Sequence, residues 1–368
     1  MAGLYIHIPF CASRCVYCGF FSTTQLDLSQ RYVDALCKEM QCRQSQQIIS
    51  TIYLGGGTPS QLSSQQLKQL FSYIYKVYRV DPLAEVTMEC NPDDVTQQFI
   101  ESLSELPVNR VSMGVQTFNN DRLRFLRRRH SADQIAPSVE LLRRAGVSNI
   151  SIDLMYGFPQ QTLSEWLLDI NKALSLDVEH LSAYALQYEE GTALYRMLEK
   201  GEVNEIDEEL ERQMYFELID RLASAGYEHY EISNFARIGC RSRHNSSYWN
   251  QTPYIGLGAA AHSYDGFKRQ WNVSSLSEYL EGIESGLQHV DFEELDESTR
   301  YNDLVMTALR TCDGLSLQLL TPQQRQYCLS MSQKYLSNGW LKLVDNHLIL
   351  TREGLFVSDM IMAELMKV

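Results

Sequence analysis

The sequence lacks the features that would place the protein in a membrane, outside the cell or on nucleic acid. It has no run of 18 or more apolar residues, the length that a membrane-spanning helix needs. Its first segment, MAGLYIHI, has neither the basic stretch nor the small-residue cleavage site of a signal peptide, and its cysteine count of nine is odd. The net charge of −14 leaves no general excess of basic residues for a phosphate backbone. We therefore expect a cytoplasmic globular protein that binds no nucleic acid.

The chain does contain a tight group of cysteines directly after its first apolar segment. Cys11, Cys15 and Cys18 follow YIHIPF in the pattern C-x-x-x-C-x-x-C, and Phe20 stands where a fourth cysteine could follow. Thiolates are soft ligands that suit zinc or iron–sulfur clusters. A structural zinc site needs four protein ligands, usually in two pairs, and no second pair completes such a set nearby. The pattern favours a [4Fe–4S] cluster with one iron open to an outside ligand.

Short β-rich runs alternate with amphipathic stretches through the first half of the chain. The runs cover residues 4–8, 50–56, 85–90, 110–115, 149–157 and 180–186. This alternation predicts a parallel sheet with right-handed crossovers, and six units predict an open, partial (βα)6 barrel in an α/β fold. Distinctive residues follow the strands, where such folds place catalytic groups: GGGTP after the second, Glu89 at the third, Gln116 at the fourth and Asp153 in the fifth.

The pattern divides the chain into three parts. Residues 1–235 are predicted to form the partial barrel, and residues 236–291 to extend its sheet and to carry the segment RHNSSYWN. In residues 292–368, two amphipathic helices and a hairpin that turns near Asp345 predict a small winged-helix-like α+β domain. Winged helices often bind DNA, but this segment has no basic recognition face, so nucleic-acid binding is disfavoured.

These motifs together resemble a known family. The cysteine pattern after the first strand resembles the signature of the radical S-adenosylmethionine (SAM) superfamily, whose cluster binds SAM and cleaves it to a 5′-deoxyadenosyl radical. The segments YIHIPFC, YLGGGTPS, VTMECNP, GVQTFN, IDLMYGFP and GLGAAAHS, between residues 5 and 263, resemble the oxygen-independent coproporphyrinogen III oxidase family, which includes a heme chaperone branch. The resemblance implies a radical SAM barrel that binds a [4Fe–4S] cluster through Cys11, Cys15 and Cys18, and SAM.

The resemblance also implies which residues hold the methionine end of SAM. Tyr5 would lie beside the cofactor near the cluster. Gly57 and Thr58 would meet the amino group, since glycine lets backbone approach a ligand closely. Glu89 would bind the ammonium and Arg128 the carboxylate. Taken singly, these residues have simpler interpretations as a tight turn, a strand end or a core side chain.

The remaining SAM contacts follow from the same resemblance. Tyr17 would offer a backbone contact to the adenine, and Ala185 would line the adenine pocket. Gln116 and Asp153 would hold polar groups of SAM, with Asp153 at the ribose hydroxyls. All these residues are expected at one end of one predicted sheet.

Two departures from the oxidase pattern favour the heme chaperone branch. The oxidases carry a further cysteine at the place of Phe20, and a long extension precedes their cluster motif, whereas four residues precede Tyr5 here. The segment RHNSSYWN at 243–250 resembles the H-N-x-x-Y-W signature of the chaperone branch. We therefore predict a protein that binds a [4Fe–4S] cluster, SAM and heme, and that transfers heme to an acceptor hemoprotein such as a respiratory one.

Two histidines are candidate heme ligands. Neutral imidazoles of His244 and His262 suit the axial position of heme iron, and Tyr248 and Trp249 could stack on the macrocycle. Arginines 237, 241 and 243 could pair with the propionates. The residues alone leave open a structural turn around His244, a core position for His262 and a solvated face for the arginines.

Other functions stay open at the level of sequence. The chain retains the motifs that SAM cleavage requires, so turnover of SAM is not excluded. An oxygen-independent coproporphyrinogen III oxidase of porphyrin biosynthesis is the alternative, followed by a radical SAM enzyme with another substrate. The resemblance suggests a homodimer, and peripheral membrane contact stays open.

Overall fold

The computed structural model describes residues 1–287 and 290–367, and its centre is a set of six neighbouring parallel strands. These strands lie in chain order, each hydrogen-bonded to the next. They are β1 (Ala2–Ile8), β2 (Ile49–Gly56), β3 (Val80–Cys90), β4 (Arg110–Gln116), β5 (Asn149–Tyr156) and β6 (His180–Ala185). All six predicted strands and the α/β barrel-like arrangement are confirmed. β3 begins five residues earlier than predicted, because Val80 pairs with Ile49 across the sheet.

Helices follow each of these six strands, and most of them contribute buried side chains to the main core. They are α1 (Ser29–Cys42), α2 (Ser64–Val77), α3 (Gln97–Ser104), α4 (Asn120–Phe125), α5 (Ile135–Arg144), α6 (Leu163–Ser175), α7 (Ala193–Glu199) and α8 (Glu208–Ser224). In α1, the apolar side chains at helical spacing, Tyr32, Val33, Leu36 and Met40, are all buried, as the amphipathic pattern predicts. The α2 N-terminus carries a capping box between Ser63 and Gln66.

Further strands widen the sheet at both edges. β7 (Glu228–Glu231) and β8 (Asn234–Ala236) lie beyond β6, and β9 (Tyr254–Leu257) pairs in parallel with the other edge strand, β1. β10 (His262–Tyr264), β11 (Lys268–Asn272) and β12 (Val290–Glu294) continue outward from β9 in antiparallel register. Two helices belong to this part of the chain, α9 (Arg243–Trp249) and α10 (Leu276–Ser285).

The C-terminal part forms a small domain with its own sheet and core. It comprises α11 (Glu297–Ala308), β13 (Leu315–Ser316), α12 (Pro322–Ser337), β14 (Leu341–Val344), β15 (His347–Leu350), α13 (Arg352–Leu355) and α14 (Ser358–Leu365). Its antiparallel strands lie in the order β13-β15-β14. Asp345 and Asn346 have φ of 47° and 62° at the predicted hairpin turn, as a two-residue connection favours. Throughout residues 1–287 and 290–367, the helices are too short or too polar to cross a bilayer.

Candidate functional site

A cavity of about 600 Å³ lies at the C-terminal ends of the six parallel strands. All three cysteines of the motif line it, together with eight of the nine predicted SAM residues: Tyr17, Gly57, Thr58, Glu89, Gln116, Arg128, Asp153 and Ala185. Its volume lies in the range of small-molecule and cofactor sites. Parallel strands bring residues far apart in sequence to one edge of a sheet, which is why the predicted set converges. Tyr5, His244 and His262 lie outside the lining.

The three motif cysteines belong to a loop whose start and end are joined by backbone hydrogen bonds. Cys11 N donates to the carbonyl of Thr23 at 2.9 Å, and Thr23 N donates to the carbonyl of Pro9 at 2.7 Å. The three thiols are free of disulfides. Thr58 Oγ1 donates to Cys11 Sγ at 3.5 Å, and Arg128 Nη1 contacts Cys15 Sγ at 3.4 Å. Three unbonded thiols on one loop, beside hydroxyl and guanidinium donors, suit thiolate ligands.

The donor set of the loop suits a [4Fe–4S] cluster. Three thiols, those of Cys11, Cys15 and Cys18, line the same cavity, and in such a cluster each thiolate binds a different iron. Within the described residues, no three His, Cys, Asp or Glu side chains are grouped closely enough to hold one metal ion. The residues present therefore fit the cluster that the motif predicts.

The glycines of GGGTP let the loop after β2 pack closely against the end of β1. Gly57 N donates to the carbonyl of Ile8 at 2.8 Å, and a Cβ on Gly57 would lie 2.7 Å from that same oxygen. Gly56 has φ of 104°, a conformation that side chains disfavour. The close approach brings Thr58 to Cys11, which couples this loop to the cysteine loop.

Glu89 is held as an acceptor at the cavity wall. Tyr53 Oη donates to its Oε1 at 2.7 Å, and Gly56 N donates to its Oε2 at 3.1 Å. Burial raises the pKa of Glu89 to about 7, although both hydrogen bonds oppose the shift. Burial also raises the pKa of Asp153, whose Oδ1 accepts from Ser112 Oγ at 3.4 Å. The cavity therefore carries two carboxyl groups that a cationic ligand would favour in ionised form.

The end of β4 contains a strained turn that shapes the cavity. Gln116 has φ of 67°, which costs roughly 1–3 kcal/mol for a residue with a side chain, and the β4–β5 register shifts between Gly114 and Gln116. A Cβ on Gly114 would lie 2.5 Å from Arg128 Nη2. The irregular strand end thus makes room for the guanidinium of Arg128.

Arg128 enters the cavity from the end of α4. Its backbone N donates to Leu123 O at 2.9 Å, and Arg127, with φ of 60°, ends the helix in the left-handed region. Arg128 Nη2 donates to Asn91 Oδ1 at 2.7 Å and to the carbonyl of Gly114. The sequence analysis did not single out Asn91, although its position directly after the third strand is a signal for it.

His244 and Tyr5 lie next to each other outside the cavity lining. His244 is fully buried, with Nδ1 2.8 Å from Thr51 Oγ1 and Nε2 2.9 Å from Tyr248 Oη. Burial lowers the pKa of His244 to about 3, so the ring is neutral at pH 7. Tyr5 stacks near it with ring centroids 6.4 Å apart. Protein groups contact both ring nitrogens of His244. This agrees with the structural role for His244 that the sequence analysis left open.

His262 has a different environment. It is exposed on β10, and its ring stacks on Trp271 at a centroid distance of 5.9 Å. Neither ring nitrogen has a hydrogen bond within the described part of the chain. Partial desolvation of the ring and the positive charge of Arg269 lower the pKa of His262, which favours the neutral imidazole. Its nitrogens are therefore available to a ligand.

Strand pairing places His262 on the inner face of the sheet. Tyr254 of β9 pairs with Gly3 of β1 and with Tyr264 of β10. Paired residues point to the same face, and alternate residues along a strand share that face. His262 therefore lies on the face that carries Tyr5.

The three arginines near RHNSSYWN are bound to other parts of the chain. Arg237 pairs with Asp177, and Arg243 donates to the carbonyl of Leu83 at 2.8 Å. Arg241 pairs with Glu228 at 2.5 Å and with Asp313 at 2.9 Å. These partners favour structural ion pairs for Arg237 and Arg241, and a structural hydrogen bond for Arg243, over the free propionate-binding face that the sequence suggested.

Comparison with known proteins agrees with this geometry. Residues 5–173 match the Radical SAM superfamily, and residues 295–357 match the HemN C-terminal domain. The chain is 39% identical over 322 residues to the heme chaperone HemW of Bacillus subtilis, covering 86% of this chain and 85% of that protein. It is 32% identical over 373 residues to HemW of Mycobacterium tuberculosis, covering 99% and 94%.

A solved structure shares the fold over the whole chain. Coproporphyrinogen III oxidase (HemN) from Escherichia coli, a radical SAM enzyme, superposes with a TM-score of 0.86 at 22% identity, covering 100% of this chain and 90% of that one. At this identity the likeness establishes the fold alone, whereas the sequence relatives establish the branch. The chain belongs to the HemW family of the radical SAM superfamily.

Proposed function

We propose that this protein is a heme chaperone that binds a [4Fe–4S] cluster, SAM and heme and transfers heme to an acceptor hemoprotein. The observation that carries the proposal is its similarity to proteins named heme chaperone HemW along nearly the full chain, 32% identity over 99% of it in one case. The cavity supports it, because the motif cysteines and eight expected SAM residues meet there.

The cluster and SAM would be held by the residues at this cavity. Cys11, Cys15 and Cys18 would bind three irons. A reduced [4Fe–4S] cluster supplies the electron that cleaves the sulfonium of SAM. Glu89 would accept from the ammonium of SAM, and Arg128 would donate to its carboxylate.

His262 is our candidate for the axial ligand of heme. Its exposure, its neutral ring and its nitrogens without hydrogen-bonding partners among the described residues support this role. Trp271 beside it offers an aromatic face for the macrocycle. His244 is the weaker candidate, because iron could reach it only if its bonds to Thr51 or Tyr248 broke.

Heme titration of the cluster-replete protein tests the function. We expect saturable one-to-one binding of heme that persists through desalting, with the Soret band as the measure of bound heme. Replacing His262 with alanine should weaken heme binding about tenfold or more and shift the Soret maximum. The reason is that the iron would lose an axial ligand, and even the loss of a group beside a metal ligand costs about tenfold or more. Replacing His347, a partly buried histidine of β15, with alanine is the control and should change neither.

Three outcomes separate the alternatives. Absence of specific heme binding by cluster-replete protein would contradict the chaperone, and an assay with coproporphyrinogen III, SAM and reductant would then test the oxidase. An unchanged affinity and spectrum in His262→Ala would reject this histidine while leaving the chaperone intact. Loss of heme binding in His244→Ala, at an unchanged melting temperature, would identify His244 as the axial ligand instead.

The setting of this activity is part of the proposal. We place the protein in the cytoplasm and propose a respiratory hemoprotein as acceptor, with a homodimer as an accompanying prediction. Size-exclusion chromatography with light scattering, with and without heme, tests the dimer.

A further inference from the structure

Helix α9, which carries the H-N-x-x-Y-W signature, is anchored to the strands next to the SAM cavity. Its first turn donates two backbone N–H groups to one carboxylate, from Arg243 to Glu85 Oε2 at 3.0 Å and from His244 to Glu85 Oε1 at 2.9 Å. Ser242 caps the same turn through Asn245 N. His244 is therefore fixed in position by the backbone as well as by its ring.

From this position, His244 packs against a tyrosine that reaches the cavity. The rings of His244 and Tyr53 stack with centroids 5.1 Å apart and planes 28° apart. Tyr53 lies on β2 and donates its hydroxyl to Glu89 on the neighbouring strand at 2.7 Å. One continuous set of contacts thus runs from α9 through an aromatic ring to the carboxylate at the cavity wall.

We propose that His244 and Tyr53 are positioning residues that hold Glu89 ready for the ammonium of SAM. The inference rests on the proposed role of Glu89 as the acceptor for that ammonium. His244 lies outside the cavity lining and acts through Tyr53, and Tyr53, which lines the cavity, acts through Glu89. The signature segment then supports the SAM site from outside the cavity, independently of heme.

We call the set of contacts from His244 through Tyr53 to Glu89 the relay. Its effect can be measured through the protonation of Glu89. Charged and titratable groups face Glu89 from every neighbouring element: Tyr5 of β1, Tyr53 of β2, Arg110 of β4, Asp153 of β5 and Tyr248 of α9. Burial and Asp153 raise the pKa of Glu89, and Tyr53, Gly56 N and Arg110 lower it. Because the ammonium binds the carboxylate, SAM affinity should fall as pH falls through the pKa of Glu89, near 7.

The test is SAM affinity as a function of pH in the anaerobic, cluster-replete protein. Replacing Tyr53 with phenylalanine removes one hydrogen bond to the carboxylate and keeps the ring against His244. We expect the midpoint of the acidic fall in affinity to move up by about one pH unit, because the lost hydrogen bond favours the ionised carboxylate. We also expect the affinity well above the midpoint to fall about threefold or more, because Glu89 loses a group that orients it. Tyr78→Phe, which removes a hydroxyl bonded to the carbonyl of Arg43, is the matched control and should leave the midpoint unchanged.

Two further variants make the result decisive. Glu89→Gln should abolish the acidic fall, so that only an alkaline fall, from deprotonation of the ammonium of SAM, remains. His244→Leu should weaken SAM binding in the wild-type background and much less in Tyr53→Phe, because the two residues act in one chain. An unchanged midpoint in Tyr53→Phe overturns the relay while Glu89 keeps its role. An acidic fall that persists in Glu89→Gln overturns the role of Glu89 and the relay with it.

Discussion

Replacing Cys15 with alanine should remove the iron–sulfur cluster and, with it, tight SAM binding. We expect iron and sulfide contents to fall from about four per chain to near zero after anaerobic reconstitution. The physical reason is that each thiolate holds a different iron, so the loss of one leaves a second iron without a protein ligand. Iron and sulfide analysis with the visible absorption spectrum measures the change.

Two other cysteines provide controls for this experiment. Cys37 is buried on α1 outside the cavity lining, and Cys90 lines the cavity at the end of β3 but lies outside the motif. Their alanine variants should keep the full cluster. If Cys90→Ala lost as much iron as Cys15→Ala, or if Cys15→Ala kept its cluster, the assignment of the ligands to the C-x-x-x-C-x-x-C loop would be wrong.

The sequence predicted the parts of the site that follow from strand order. Parallel strands in chain order bring their C-terminal ends to one edge, so identifying the strands already placed Glu89, Gln116 and Asp153 together. The cysteine loop and GGGTP could be placed in the same way, because each follows a strand directly. Spacing and periodicity are local properties of the sequence, and they were sufficient to predict these positions.

The environments of the histidines and arginines could not be predicted in the same way. His244 is buried by contacts with Thr51, which lies 193 residues away in the chain. Arg241 pairs with Asp313, 72 residues away, across the boundary to the C-terminal domain. Such partners depend on how α9 and α11 pack, and the composition of RHNSSYWN is equally suited to a buried and to an exposed segment.

Replacing Arg128 with glutamine should have two separate effects on the loaded site. Arg128 contacts Cys15 Sγ through Nη1, and it donates to Asn91 and Gly114 through Nη2. A guanidinium has five N–H donors, so two more can serve the carboxylate of SAM. Loss of the hydrogen bonds to this charged group should weaken SAM binding about 10- to 100-fold.

The second effect concerns the reduction potential of the cluster. A cation that donates to a ligating sulfur stabilises the reduced, more negative cluster. The potential of Arg128→Gln should therefore shift in the negative direction, even without SAM. Spectroelectrochemical titration of the SAM-free protein measures this shift independently of SAM affinity.

Arg129→Gln is the matched control, because it removes the same charge from the neighbouring residue. Arg129 also lines the cavity but pairs with Asp93 and Asp94, both at 2.7 Å. Its loss should change the potential and the SAM affinity much less, since its charge is already balanced and it does not touch a motif thiol. Equal losses in both variants would mean that the summed charge of the cavity, and not the contact of Arg128 with Cys15 and SAM, controls the site. If only Arg128→Gln changed the reduction potential and its SAM affinity stayed the same, the contact of Arg128 with the Cys15 thiol would be supported. Its proposed contact with the SAM carboxylate would then be rejected.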